Sequence, residues 1–241
     1  MRGNAVSQEA TRMALTDYEN GLLSQCRNCG GHSSVTVYER DDIVLFWPHS
    51  WVEQPNQAPG VTGVTDTASW FQAAYRQMCE WRQLDPNEYY LRENGVRQRL
   101  VFACNGKKDF QIEDCRREPL LRPYIGLRDG KSPTYGSNDW FGWLCHELSH
   151  DFLHKPRLGP DAEHWGDGLC DYFRCKLLAA QGMDDAAVQF EHAIRHRAAQ
   201  NASDTYAAPA QLLLDYEDNP AELVRRVCGK RLSEEVAEPT W

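Results

Sequence analysis

Apolar residues follow two different spacings along the chain, and each spacing predicts a different kind of element. Short apolar runs at 35–38 and 43–47 flank a polar segment, which is typical of a β-hairpin. The run at 100–104 is rich in strand-forming residues and predicts a third strand. The run at 121–127 predicts a fourth, and Pro123 favours an edge position for it because proline cannot donate a hydrogen bond to a neighbouring strand.

Most of the remaining chain has helical spacing. The stretches 7–23 and 68–84 place apolar residues three and four positions apart, and Asp66 is the expected N-cap of the second. The tripeptide 137–139, Ser-Asn-Asp, is the expected cap of a strong helix from about 140 to 154. Further helices are predicted at 164–180, 184–199, 208–216 and 220–229, the last with Asn219 as its cap and Pro220 in its first turn.

The order of these elements predicts an α+β fold, because strands and one long helix come first and helices alone follow. Three prolines and two glycines between 48 and 65 predict a long loop before the central part. We therefore expect an N-terminal segment at 1–65, a core at 66–181 that carries the candidate chemistry, and C-terminal helices at 182–241 that pack on this core.

Charge and hydropathy restrict the partners. The 241 residues include 26 Lys and Arg against 35 Asp and Glu, a net charge of −9. A nucleic-acid-binding protein needs a basic face, so no nucleic-acid partner is expected. No window approaches the run of about 18 apolar residues that a membrane span needs. The N-terminus lacks the apolar run of a secretory signal, so we expect an intracellular protein, or else the mature form of a secreted one.

The chain has nine cysteines, an odd number that cannot pair completely within one molecule. Without a signal sequence, reduced thiols are favoured. The motif Cys26-x2-Cys29-x2-His32 is open to three interpretations: half of a structural metal site, a disulfide, or free thiols in a turn. Cys104 and Cys115 flank a turn-rich stretch and would pair in an oxidising compartment. Three more cysteines lie on predicted helices and are expected to pack in the core: Cys145, Cys170 and Cys175.

The clearest chemical motif is the HExxH pentapeptide His146-Glu147-Leu148-Ser149-His150. Side chains four residues apart share one face of a helix at a spacing of about 6 Å, so two imidazoles can converge on one metal ion at the roughly 2 Å that zinc requires. Glu147 then lies beside the metal, where it can take a proton from bound water and return it to the leaving group. The motif predicts a zinc-dependent hydrolase.

A catalytic zinc site needs a third protein ligand. His154 is excluded as a partner of His146, because eight residues of helix separate them by about 12 Å along the axis; it is interpreted as a residue of the rim. The remaining candidates, Asp167 and His164, lie on the following predicted helix.

The segment 164–174, His-Trp-Gly-Asp-Gly-Leu-Cys-Asp-Tyr-Phe-Arg, resembles the second motif of the gluzincin metallopeptidases. It is most similar to the basic-secretory-protein-like peptidases of plants and bacteria, in which E-G-x-x-D-Y-x-R follows the HExxH helix. The resemblance covers about 66–181 and is strongest over 140–176. It implies a compact zincin-like domain, with a small mixed sheet beside the two site helices, and a peptidase that uses Zn2+.

The resemblance implies a role for two aspartates of this segment. Asp167 occupies the position of the family's ligand Glu, so it would be the third zinc ligand; its side chain is one methylene shorter, so the two helices would have to lie closer together. His164 remains the alternative, since SprT-like metalloproteases take a third His from a downstream segment. Asp171 would accept the far N–H of a ligating imidazole; its alternative interpretation is a surface aspartate paired with Arg174.

A peptidase also needs a group that stabilises the oxyanion and a place for the substrate. Four downstream residues are candidates for oxyanion or substrate contacts, and the sequence does not choose among them. Two of these, His192 and His196, would alternatively form a solvated basic face. The strand at 124–127 is the expected edge on which a peptide could pair. The four candidates are Tyr172, His192, His196 and Tyr206.

The sequence thus predicts a zinc metallopeptidase whose substrate is a peptide or protein. Two alternatives stay open. The same metal and glutamate could act on a non-peptide amide or a small metabolite, as in a biosynthetic pathway. The chain could instead be a non-catalytic binding module with a degenerate site, although the intact Glu147 argues against this because a module that only binds metal does not need that acid.

Overall fold

The computed structural model describes residues 15, 19–21, 23–24, 35–40, 42–48, 64–83, 100–104, 124–127, 137–153 and 162–228. Residues 19–21 and 23 are helical, within the first predicted helix, and residue 24 is helical one position beyond it. Among the described helices, none is both long and apolar enough to cross a membrane.

The structure contains four strands among the described residues: β1 (Val35–Glu39), β2 (Ile43–Pro48), β3 (Leu100–Cys104) and β4 (Tyr124–Leu127). The helices in the described part of the chain are α1 (Val64–Arg82), α2 (Asn138–Leu153), α3 (Ala162–Ala180), α4 (Asp184–Gln200), α5 (Ala207–Tyr216) and α6 (Pro220–Cys228).

The four strands form one mixed sheet in the order β1-β2-β3-β4. The predicted hairpin is confirmed: β1 and β2 are antiparallel, with Val35 opposite Pro48. β3 runs parallel to both β2 and β4. β4 starts directly after Pro123 and is an edge strand of this sheet, as the proline predicted. The described part of the chain is mostly helical with a small sheet, which agrees with the predicted α+β class.

β2 is buried on both faces, and its alternating side chains join two apolar clusters. Ile43 and Leu45 pack into the main core with α1, whereas Val44 and Phe46 pack with Val101 on the other face. The hairpin is also held by a buried carboxylate. Asp42 accepts hydrogen bonds from the side chains of two α1 residues, Gln72 (2.6 Å) and Arg76 (2.7 Å), which compensate for the burial of its charge.

Local capping chemistry decides where several helices begin. The Ser137 hydroxyl accepts a hydrogen bond from the backbone N–H of Trp140 (3.2 Å), so the predicted cap of α2 is confirmed. Asn219 caps α6 in the same way, through the N–H of Glu222 (3.0 Å). The predicted N-cap at Asp66 is wrong. α1 starts at Val64, so Asp66 lies in the first turn, where its charge still stabilises the positive end of the helix.

The main core joins α1 to all the later helices. Aromatic rings of α1 and α2 meet there edge to face, with Trp70 and Phe141 at a centroid distance of 4.4 Å. α3 is the central helix, since it packs against α2, α4 and α5 and its residues 168–175 are buried. The site helices α2 and α3 are therefore packed on several sides, which restricts the positions of the side chains that they carry.

A glycine of α3 allows α5 to approach closely. A Cβ atom added at Gly168 would lie 2.6 Å from Cβ of Pro209 and 3.2 Å from the backbone nitrogen of Ala210. Contacts this short do not occur between real side chains, so a larger residue would push the two helices apart. Gly168 directly follows Asp167 in the chain. The close contact therefore also brings the first turn of α5 next to the candidate third ligand.

Gly168→Ala is expected to lower the free energy of unfolding by about 1–3 kcal/mol, the usual cost of added volume in a packed interface. The midpoint of urea denaturation of the metal-free protein measures it. Gly166→Ala is the matched control, because no described atom lies within 4 Å of its added methyl group. That change should stabilise α3 by about 0.5–1 kcal/mol, since glycine is unfavourable inside a helix. Equal effects of the two changes would contradict a close α3–α5 contact.

Candidate metal centre

Two helices supply the candidate site. α2 carries His146 and His150 four residues apart on one face, as the HExxH spacing requires. The residues between and before them, including Leu144 and Leu148, are buried in the core and fix the rotation of the helix. α3 runs beside α2 and presents Asp167 to the same place.

Three side-chain atoms converge between these helices. Nε2 of His150 lies 3.1 Å from Nε2 of His146 and 3.1 Å from Oδ1 of Asp167. Nε2 of His146 is 4.0 Å from the same oxygen of Asp167. Among the described residues, these three form the group of His, Cys, Asp or Glu side chains with ligand atoms close enough to hold one metal ion. We call His146, His150 and Asp167 the triad.

The dimensions of the triad suit one metal ion. Its three atomic separations place one point about 2.0 Å from each atom, and zinc binds imidazole nitrogen and carboxylate oxygen at about 2.0–2.2 Å. Two imidazoles and one carboxylate are also the donor set of catalytic zinc sites, in which the fourth position remains for water or substrate. The residues present could therefore hold one metal ion.

The imidazole of His146 is held in orientation by a contact at Nδ1, the ring nitrogen that does not face the triad. Its Nδ1 lies 2.7 Å from Oδ1 of Asp171, and both side chains are buried. A carboxylate accepts the Nδ1 proton, which leaves the lone pair of Nε2 directed at the triad. Arg174 donates to the same oxygen of Asp171 at 3.0 Å. Both contacts that the sequence suggested for Asp171, with an imidazole and with Arg174, are therefore present together.

Asp171 is suited to this orientation because it stays ionised. Burial raises the pKa of its carboxyl group, but the hydrogen bond with His146 and the charge of Arg174 outweigh burial, so the pKa is below its usual value. The guanidinium of Arg174 is itself held over the ring of Phe190 at 4.3 Å. That ring occupies the space that Gly142 leaves open on α2, so α4 also contributes to the placement of Asp171.

Exposure rises across the triad from the interior to the surface. The side chain of His146 is 6% exposed, that of His150 19% and that of Asp167 29%. Burial raises the pKa of Asp167, but the hydrogen bond and charge of His150, the charge of His146 and a hydrogen bond from Tyr206 together lower it below its usual value. Asp167 is thus an ionised carboxylate at the open side of the triad, as a metal ligand must be.

Glu147, the candidate general base, is buried next to His146 on α2. Its charge acts on residues around the triad. Burial raises the pKa of the Tyr206 hydroxyl, and the charges of Asp167, Asp171 and Glu147 raise it further. Glu147 likewise adds to the effect of burial on the Cys170 thiol. Its carboxylate therefore lies within electrostatic reach of the side of α3 that carries Asp167.

The four candidates for oxyanion or substrate contacts have different surroundings. The Tyr206 hydroxyl lies near enough to Asp167 for each group to shift the pKa of the other. Tyr172 instead donates its hydroxyl to the backbone carbonyl of Glu217 at 2.9 Å, which ties α3 to the segment after α5. His192 and His196 are exposed on α4, outside the triad. The structure thus brings Tyr206 to the triad and gives Tyr172 another partner.

Sequence reasoning missed three contributors to the site. The sequence could have indicated Gly168, because an isolated glycine inside a predicted helix often marks a close packing contact. Trp143, three residues before His146, is 42% exposed, and its ring centroid lies 6.1 Å from that of His146. No sequence pattern indicated the third residue, Arg197, whose guanidinium lies over the Tyr206 ring. This contact depends on how α4 packs against α5.

The cysteines do not take part in the triad. Cys145, Cys170 and Cys175 are free thiols buried in the main core, as predicted, and so is Cys79. Burial raises the pKa of Cys175 to about 12, so this thiol stays protonated and is not an activated nucleophile. The motif at Cys26, the side chain of the alternative ligand His164, and the possible Cys104–Cys115 pair lie outside the described side chains.

No protein-family model, no curated protein and no solved structure matches this chain. What the site does is therefore inferred from its own residues and their arrangement.

Proposed function

We propose that this protein is a zinc-dependent hydrolase that cleaves amide bonds, with peptides or proteins as substrates. The observation that supports this is the triad, in which both imidazoles of an HExxH helix and one carboxylate of the next helix meet at zinc-binding distances. The two imidazoles were expected at this place from the spacing of the motif, and Asp167 from the family resemblance, with His164 as the alternative. The intact Glu147 adds the acid that catalysis needs.

His146, His150 and Asp167 would hold the metal in this proposal. When bound, Zn2+ polarises the substrate carbonyl and makes water a stronger acid, and both effects lower the barrier to hydrolysis. The triad is open on the side of Asp167, which is more exposed than His146, so a substrate would approach from there. Binding of a divalent cation would also neutralise part of the negative charge of Asp167, Asp171 and Glu147.

The chain's own residues would perform the proton transfers. Glu147 would accept a proton from the attacking water and deliver it to the departing amine. Asp171 would hold the Nδ1 proton of His146, so that Nε2 stays a ligand. Arg174 would keep Asp171 in place and ionised. Together these contacts orient the site before the substrate arrives, which is the condition for efficient catalysis.

We further propose a zincin-like fold of the gluzincin type. The small mixed sheet, the HExxH helix and the ligand helix follow one another in the order that this family implies. β4 would offer its outer edge to a substrate strand.

Metal content and proteolysis together test this proposal. We expect one zinc ion per chain by plasma emission, cleavage of an unfolded casein-type substrate, loss of cleavage with a chelator, and its return with added zinc. Bound zinc also stabilises the folded state. At a free zinc concentration 100 times the Kd, the free energy of unfolding should rise by about 2.7 kcal/mol, measured as a shift of the denaturation midpoint.

The outcomes separate the competing functions. Zinc without cleavage of any peptide would favour an enzyme that acts on a non-peptide amide or small metabolite. Absence of zinc and of every hydrolytic activity would contradict both enzymes. In that case the single Nε2 proton of His150, donated between Nε2 of His146 and Oδ1 of Asp167, would account for the short distances, as in a binding module with a degenerate site.

A further inference from the structure

We infer that Phe190 of α4 is a positioning residue for the metal centre: its ring holds Arg174, which in turn holds Asp171 against His146. This inference rests on the proposed function, since it assigns a role within the same metal site. Phe190 lies on neither of the two site helices, so it would act through the side chains that it contacts.

The ring of Phe190 fills a space that Gly142 leaves open on α2. A Cβ atom added at Gly142 would lie 2.3 Å from both Cε2 and Cζ of Phe190. Real Cβ atoms do not approach other atoms this closely, so the edge of the ring lies directly against the backbone of α2. Gly142 is four residues, about one helical turn, before His146, which places this contact close to the first histidine of the triad.

The face of the same ring lies under the guanidinium of Arg174. Cζ of Arg174 is 4.3 Å from the ring centroid, within the range of a cation–π contact. The Arg174 side chain is only 10% exposed, and its Nε–H has no hydrogen-bond partner in the described part of the chain. A cation that is removed from water needs compensation, and the ring face adds to what the carboxylate of Asp171 supplies.

Arg174 connects the ring to the metal centre. Its Nη2 lies 3.0 Å from Oδ1 of Asp171, and the same oxygen lies 2.7 Å from Nδ1 of His146. These contacts form a continuous chain that begins on α4, crosses α3 and ends on α2. Without the ring, the guanidinium gains access to other rotamers, and Asp171 loses one of the two groups that fix its oxygen. The orientation of a ligating imidazole depends on such outer contacts.

Phe190→Leu tests this inference, because it keeps an apolar side chain and removes the aromatic face. We expect the Kd for zinc to rise by about 3–10-fold, less than the roughly 10–100-fold for loss of a direct outer contact, since Phe190 acts through Arg174. Competition with a chromophoric chelator on the purified full chain measures it. Val188→Ala is the matched control: this apolar residue is also on α4 but is 61% exposed, and its substitution should leave the Kd unchanged.

Phe190→Leu also leaves a gap in the packing, so a second variant separates packing from positioning. In Gly142→Ala/Phe190→Leu, the added methyl group occupies the space that the ring edge vacates. The urea midpoint of the metal-free protein should return toward the parent value, because the cavity is smaller. The weaker zinc binding should persist, since no aromatic face is restored. In an Arg174→Met background, Phe190→Leu should not change zinc affinity further, because the two residues would act through one contact.

The tautomer of His146 in the metal-free chain gives a readout that packing alone would not change. NMR correlation spectra of the imidazole nitrogens and ring protons, assigned with a His146→Gln variant, should show one neutral tautomer in the parent chain. Its proton should be on Nδ1, the nitrogen that faces Asp171. In Phe190→Leu, and equally in Gly142→Ala/Phe190→Leu, the tautomer with its proton on Nε2 should gain population.

Several results would overturn the inference. An unchanged Kd and an unchanged tautomer in Phe190→Leu would show that the ring does not position the centre, although the proposed function would stand. Recovery of zinc affinity together with stability in Gly142→Ala/Phe190→Leu would make the role of Phe190 one of packing. If the parent chain binds no zinc, the proposed function fails, and the tautomer of His146 alone then decides whether Phe190 positions this imidazole.

Discussion

Glu147→Gln is expected to lower the rate of amide hydrolysis by about 10²–10⁴-fold, the range that general acid–base catalysis contributes. Glutamine has almost the same shape but cannot accept the proton of the attacking water. The helix and the triad should be unaffected, because the change adds no volume at this buried position. Zinc should therefore stay bound at one ion per chain while kcat falls, as measured by steady-state cleavage and metal analysis of the same sample.

Glu80→Gln is the matched control for this substitution. Glu80 is an exposed glutamate of α1 whose partner is Gln77 of the same helix, so neither activity nor metal content should change. An unchanged rate in Glu147→Gln would contradict the role of this residue as general base. A simultaneous loss of zinc and activity would instead indicate that Glu147 supports the metal site itself.

Asp167→Ala is expected to weaken zinc binding by more than about 100-fold, because the loss of even an outer contact costs 10–100-fold and here a direct ligand is removed. His164→Ala should retain zinc. The reason is geometric: Oδ1 of Asp167 lies 3.1 Å from Nε2 of His150 and completes a group that could hold one metal ion. Bound zinc after dialysis, followed by a competition titration, measures both variants.

The same pair of variants decides between the two candidate third ligands. The opposite result, with zinc lost from His164→Ala and kept by Asp167→Ala, would make His164 the ligand and Asp167 a neighbour of the site. Asp167→Asn extends the test, since it keeps the size of the side chain and removes its charge. We expect it to bind zinc more weakly than the parent chain, because an amide oxygen is a poorer ligand than a carboxylate.

Most of the elements followed from local rules. The hairpin was predictable because two apolar runs flank a short polar segment, and both strands formed where they were expected. The starts of α2 and α6 were predictable because Ser137 and Asn219 satisfy free backbone N–H groups at those ends. The start of α1 was placed too late, because a good capping residue such as Asp66 is equally compatible with the first turn of a helix.

The two imidazoles of the site were determined by sequence alone. Their spacing within one helix fixes their separation, whatever the rest of the chain does. The third member of the triad was not determined in this way. Asp167 and His164 are three residues apart on α3, less than one turn of helix, so either could have faced α2. Only the packing of α3 between α2, α4 and α5 selects the rotation that turns Asp167 toward His150.

Sequence alone thus determined the α+β class, the HExxH pair and a short set of possible partners for it, because these depend on contacts within one helix or one hairpin. Tertiary structure decided the rest. It placed Asp171 against Nδ1 of His146, directed Asp167 toward His150, and packed Pro209 of α5 against Gly168 of α3. These contacts join residues far apart in the chain, and their distances depend on how closely whole helices pack, which no local pattern of residues specifies.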